Sequence, residues 1–125
     1  MYQIIIETHF SAAHKLRGYP GECAELHGHN FKVRVTVQTK ELNPLGFGID
    51  FKKLKDLTQE AIQDLDHKNL NELPSFLDLN PTAENIAKLI YNRLRDRIRE
   101  PHRLHSVQIW ESDKYSVVYK EDEGQ

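Results

Sequence analysis

Cys23-Ala-Glu-Leu-His27-Gly-His29-Asn-Phe31-Lys-Val33-Arg-Val35-Thr-Val37 is the run from which the rest of the chain is read. From Phe31 onward, apolar residues alternate with Lys32, Arg34, Thr36 and Gln38, the period-two pattern of a half-buried strand. Successive side chains of a strand point to opposite faces. His27 and His29 carry the parity of the valines, so both imidazoles face the inward side and offer a two-point grip for a metal. Gly28 between them keeps bulk off the backbone, and Cys23 sits one short turn upstream. His-x-His by itself also fits a polar strand end, so its weight depends on what the other segments supply.

Tyr2, Ile4, Ile6, Thr8, Phe10, Ala12 and His14 share one parity, while Gln3, Glu7, His9 and Ser11 share the other. This predicts a strand from Tyr2 to His14 whose mostly apolar face ends in a third histidine, provided that no β-bulge shifts the register. Neutral imidazole nitrogens bind zinc at about 2.0–2.1 Å. A catalytic site keeps a fourth position open for water or substrate, whereas a structural site usually fills all four with protein ligands.

Arg17-Gly-Tyr-Pro-Gly21 reads as a turn and Asn43-Pro-Leu-Gly-Phe-Gly48 as a loop. Asp50 is placed to cap a helix through Phe51, Leu54, Leu57, Ala61, Ile62 and Leu65, ending near Asp66-His67. Asn80 or Thr82 caps a second helix that continues through Ile86, Leu89, Ile90, Leu94 and Ile98 until Pro101 ends it. Val107–Glu111 and Tyr115–Tyr119 form a closing hairpin. The order β-β-α-α-β-β predicts a single α+β domain over 1–125, a four-stranded antiparallel sheet with two helices on one face. The opposite face, with Lys32, Arg34, Thr36, Gln38 and Lys40, is too polar for a second core layer. Two open sheet edges favour oligomerisation.

Composition narrows the function classes. Hydrophobic content of 38% and charged content of 29% describe an ordinary globular chain. A formal charge of −2 gives no electrostatic reason to expect nucleic acid or an acidic membrane as partner. The lone cysteine excludes an internal disulfide framework and suits a reducing compartment. No basic leader precedes an apolar run, and no stretch approaches the ~20 apolar residues of a membrane span, so the cytoplasm is expected. Glu121 to Gln125 reads as a frayed acidic tail.

Three further features carry chemistry. Glu111 shares the parity of Val107 and Ile109 and so points inward. There it either closes a salt bridge or waits for two parallel N–H donors of a guanidine-like ring edge. Asp66-His67 stands where the first helix is expected to end; the helix dipole accounts for a histidine there, and acid–base work is the alternative. Cys23 is either a small core residue or, beside zinc and a histidine, a thiolate base. His9, His102 and His105 read as surface residues.

Phe10-Ser-Ala-Ala-His14, Cys23-x-x-x-His27-Gly-His29, Leu65-Asp-His67, Pro81-Thr-Ala-Glu-Asn85 and the late Glu111 follow one another across nearly the whole chain. In this order they resemble the 6-pyruvoyltetrahydropterin synthase family, and most closely its bacterial branch, the 6-carboxytetrahydropterin synthases of queuosine biosynthesis. Three residues separate the cysteine from His-Gly-His, as in that branch; the animal enzymes usually have a longer gap. The cysteine is present, unlike in members that replace it and divert to folate synthesis. Trp110 before Glu111 is unusual.

The resemblance implies zinc on His14, His27 and His29, Cys23 as proton acceptor, and Asp66, His67 and Glu111 as a relay. It implies that Glu111 also anchors the pterin edge, helped by backbone near Thr82. It implies the tunnelling fold, whose trimers close into a barrel and stack into a homohexamer with active sites between subunits. The implied reaction takes 7,8-dihydroneopterin triphosphate and water to 6-carboxytetrahydropterin, acetaldehyde and triphosphate. Two alternatives stand beside it: the sister product 6-pyruvoyltetrahydropterin, and a non-enzymatic zinc-stabilised binding module with Cys23 as fourth ligand.

Overall fold

A computed structural model describes residues 1–121, Cys23 by its backbone alone. The elements run β1 (Tyr2–His14), β2 (His27–Thr39), α1 (Phe51–Ile62), β3 (Lys68–Asn69), α2 (Ala83–Arg95), β4 (Arg103–Trp110) and β5 (Ser116–Tyr119). Short 3-10 turns occupy Glu22–Ala24, Leu70–Glu72 and Pro74–Phe76. The sheet has five strands in the order β3-β1-β2-β4-β5, not the four expected. The extra strand is two residues long and lies parallel to β1 at Ala12 and Ala13, so the sheet is mixed. A two-residue strand carries no periodicity of its own, which is why alternation does not reveal it.

β1 and β2 pair antiparallel without a register shift, from Tyr2 opposite Thr39 to His14 opposite His27. The bulge lies elsewhere, between Thr36 and Val37 where β2 meets β4. There alternation fails: Thr36, Gln38 and Thr39 are buried along with Val35 and Val37. The polar face is therefore solvated only over its first half, where Lys32 and Arg34 stand over the Trp110 ring at 4.5 and 5.1 Å.

One core holds the inward faces together. Leu54, Leu57, Ala61 and Ile62 of α1 and Ile86, Ala87, Ile90 and Leu94 of α2 join Val33, Val35, Val37, Val107 and Ile109 of the sheet. Both helices thus cover one sheet face, as the pattern predicts. Asp50 caps α1 by accepting from the Lys52 amide at 2.8 Å, and Thr82 caps α2 by accepting from the Asn85 amide at 3.1 Å. Both helices stop short of the expected ends. Leu65, Asp66 and His67 lie in a turn after α1, and Ile98 lies beyond α2, where its amide still reaches the Leu94 carbonyl.

β1 pairs with β3 only at Ala12 and Ala13, so its outer edge from Tyr2 to Phe10 has no strand neighbour among the described residues, nor has that of β5. No helix among the described residues is long and apolar enough to cross a membrane. Glu121 is not frayed; it accepts from Arg95 at 3.1 Å and from the Tyr119 hydroxyl at 2.9 Å. The remainder of the acidic tail lies outside the described residues.

Phe31 ties this core to the histidine end of the sheet. It is fully buried, stacks on Phe10 at 5.1 Å, and meets the rings of His14 and His29 edge-on at 5.5 and 5.4 Å. Phe31→Ala should lose about 3–5 kcal/mol in a denaturant melt, the usual cost of emptying a buried aromatic site. A loss below about 1 kcal/mol would mean that this ring is not part of the core.

Candidate active site

Antiparallel register creates the site. His14 ends β1 directly opposite His27, which begins β2, and His29 faces Ala12 two positions along. The three rings pack with centroids 4.7, 5.1 and 4.8 Å apart. One nitrogen from each lies within 4.8 Å of the others, the one such cluster of potential metal ligands among the described residues.

The tautomers follow from what surrounds each ring. His14 Nδ1 lies 2.7 Å from the Pro81 carbonyl, and His27 Nδ1 lies 2.8 Å from the Glu25 carbonyl. A carbonyl only accepts, so each Nδ1 carries the proton and donates it. Each Nε2 is left with its lone pair. Nε2 of His14 and Nε2 of His29 are buried without any hydrogen-bond partner. Buried polar atoms are ordinarily paired. A divalent metal satisfies both orphaned nitrogens, and carbonyl-held imidazoles such as those of His14 and His27 are the usual form of metal-ligating histidine. Burial also pushes the His14 pKa down, against the Pro81 carbonyl and the Glu111 charge, both of which raise it. The ring is therefore held neutral, the state that coordination requires.

Glu111 lies just beyond the end of β4, its amide bonded to the Tyr115 carbonyl at 3.2 Å. The carboxylate approaches His14 Nε2 to 3.9 Å and is about one-third exposed. Since His14 is neutral, this is a carboxylate beside a lone pair and not an ion pair. Inward parity thus brings Glu111 to the edge of the histidine cluster, though not into it.

Asp66 and His67 are reached from the edge of β1. Asp66 Oδ1 accepts from the Ser11 amide at 2.9 Å, and the His67 amide donates to the Ser11 carbonyl at 2.5 Å. His67 Nδ1 stands 3.0 Å from Asp66 Oδ2, with its ring largely exposed. The Ser11 bond first, and His67 second, hold the Asp66 pKa below its ordinary value. Because α1 ends at Ile62, no helix dipole explains His67. Its backbone has φ 59°, in the left-handed region that non-glycine residues seldom occupy. His67 and His29 line one open groove of about 520 Å³, together with Ser11, Gly28 and Asn30. A Cβ on Gly28 would meet the Ala12 carbonyl at an ordinary 3.7 Å, so relief of a clash does not explain the glycine.

The other named residues divide. The backbone of Cys23 lies in the 3-10 turn Glu22–Ala24 ahead of β2; its side chain lies outside the described residues. Thr82 spends its hydroxyl on the helix cap and its amide on the Asn80 carbonyl. His9 is exposed, whereas His102 and His105 are half-buried, against the expectation of surface positions. The bonds that Asn71, Asn80 and Pro81 make here are not legible in the sequence, because they depend on partners 56 and more residues distant.

Comparison with known proteins agrees with this geometry. Residues 3–122 match the family described as 6-pyruvoyl tetrahydropterin synthase. The chain is 36% identical to a dihydroneopterin monophosphate aldolase of Pyrococcus furiosus, over 92% of this chain and 94% of that one. It is 30% identical to the 6-carboxy-5,6,7,8-tetrahydropterin synthase of Haemophilus influenzae, over 97% of this chain and 100% of that one. Among solved structures, the Caenorhabditis elegans 6-pyruvoyl tetrahydropterin synthase superposes with a TM-score of 0.87 at 28% identity, covering 97% and 96% of the two chains. With the match spanning nearly its full length, the chain belongs to the 6-pyruvoyl tetrahydropterin synthase family.

Proposed function

We propose that this chain is a zinc-dependent pterin lyase of the cytoplasm, acting in queuosine biosynthesis. It takes 7,8-dihydroneopterin triphosphate and water to 6-carboxytetrahydropterin, acetaldehyde and triphosphate. The observation that carries the reading is the trio His14, His27 and His29, with two buried imidazole nitrogens that have no hydrogen-bond partner and the Glu111 carboxylate at its edge. Three protein ligands and an open fourth position suit catalytic zinc. When bound there, zinc supplies Lewis acidity to the hydroxyl-bearing side chain of the pterin and lowers the cost of charge developing on its oxygens.

The chain's own residues supply the rest. Cys23, one short turn before His27, takes a proton as thiolate. His67, its Nδ1 held by Asp66, returns one from the groove that it shares with His29. Glu111 receives the amino-pyrimidinone edge of the pterin. Partly exposed at the strand end, it has room to turn its carboxylate away from His14 toward two ring N–H donors. Backbone near Thr82 flanks that edge. The unpaired edges of β1 and β5 favour a homohexamer built as two stacked barrel-closing trimers, with sites between subunits.

The Pyrococcus relative, named an aldolase, supports a second reading in which the same site breaks a carbon–carbon bond of a pterin side chain without forming a carboxylate. A 6-pyruvoyl product is the third. Mass spectrometry of the products from 7,8-dihydroneopterin triphosphate separates them. The proposal expects the 6-carboxy product with acetaldehyde. A 6-pyruvoyl product, or acetaldehyde-free turnover, contradicts it.

Two variants test the assigned roles. Cys23→Ala should keep its zinc and its fold while losing turnover; loss of metal instead makes Cys23 a ligand and revives the binding-module reading. Glu111→Gln turns one acceptor into a donor facing a donor. Loss of a charge-assisted hydrogen bond at about 1.5–3 kcal/mol should weaken binding of a non-reacting pterin at least ~10-fold, with zinc content unchanged. Equal affinities in a titration would remove Glu111 from the binding site.

A further inference from the structure

β1 ends at His14, but the hydrogen-bonding pattern of a strand continues past it by other means. The amide and carbonyl of Lys15 are both taken by the side-chain amide of Asn71, at 2.8 and 3.0 Å. Two residues on, the amide and carbonyl of Arg17 are both taken by the side-chain amide of Asn80, at 2.9 Å each. Each asparagine presents one donor and one acceptor, as a strand residue would. Two side chains thus replace the partner strand that β3 is too short to provide. The Arg17 guanidinium closes the same seam onto the Phe76 and Leu79 carbonyls, at 2.6 and 3.0 Å.

Asn80 stands immediately before Pro81, whose carbonyl holds His14 Nδ1. The carbonyl of Asn80 is itself gripped, by the Asn85 side chain at 2.8 Å and by the Thr82 amide at 2.9 Å. Asn80, and with it Pro81, is therefore held from one side by the segment that follows β1 and from the other by the first turn of α2. Proline has no amide N–H and so cannot anchor itself in this way. We infer that Asn80 is a positioning residue of the metal site: by clamping Arg17 to α2 it sets the Pro81 carbonyl that orients the His14 ring. This rests on the reading of His14, His27 and His29 as metal ligands.

Outer partners of ligating histidines typically contribute 10–100-fold to metal affinity. The test measures zinc affinity by competition with a chromophoric chelator, the absorption spectrum of the cobalt-substituted protein, and the melting of the metal-free protein. Asn80→Ala should bind zinc 10–100-fold more weakly and shift the cobalt spectrum. Asn85→Ala, which removes one of the two bonds on the α2 side of the clamp, should move both readouts in the same direction and serves if Asn80→Ala does not fold. Leu57→Ala, buried in α1, should lower the melting temperature without changing affinity or spectrum. Asn80 and Asn85 variants with wild-type affinity and spectrum overturn the inference. So does an equal loss of affinity in Leu57→Ala, which would reduce the effect to general instability. A wild-type protein that takes up no metal overturns the metal reading itself, and the positioning role with it.

Discussion

The structure depends on one pairing: His14 opposite His27 at the closed end of an unbroken antiparallel ladder. A slip of one residue would turn every side chain of a strand to the other sheet face. The valines of β2 leave the core in such a slip, and His27 and His29 leave with them. Burial of Phe31, Val33, Val35 and Val37 therefore holds the histidines in place as a consequence of holding the fold. Stability and site geometry share a register, so the hydrophobic term of folding also preorganises the ligands.

That arrangement has a cost which the local structure offsets. His14 is 1% exposed, and desolvation depresses its basicity. A buried imidazole with an unpartnered nitrogen is unfavourable in a bare protein. The Pro81 carbonyl removes half of that penalty by accepting from Nδ1, and a metal would remove the other half. His67 shows a similar trade at the sheet edge: its left-handed backbone is held by bonds from Ser11 to both Asp66 and His67. Backbone strain maintained by its surroundings is common at functional sites.

Much of this was legible in the alternation of three strands. Parity alone put His14, His27, His29 and Glu111 on one side, because a half-buried strand leaves no freedom about which face its residues take. The Asp50 cap was legible for a similar reason, and the second cap was narrowed to Asn80 or Thr82, each being a local event; the structure assigns it to Thr82. What stayed hidden is non-local. β3 exists only because Lys68 and Asn69 find β1, and the bulge at Thr36 exists only because β4 meets β2 there. Leu65 carried the spacing of α1 past its true end, since an apolar residue at helical spacing need not be helical. The asparagine clamp on Arg17 spans 63 residues and leaves no trace in any short window.

The coordination sphere tests the central claim most directly. X-ray absorption at the zinc edge, taken on the zinc-loaded wild-type protein, distinguishes nitrogen from sulfur neighbours by distance. Zinc held by His14, His27 and His29 with an open position gives three nitrogen scatterers at about 2.0–2.1 Å, a light fourth neighbour, and no sulfur. A sulfur scatterer at about 2.3 Å would place Cys23 on the metal, close the fourth position, and contradict a catalytic site built on the β1–β2 register.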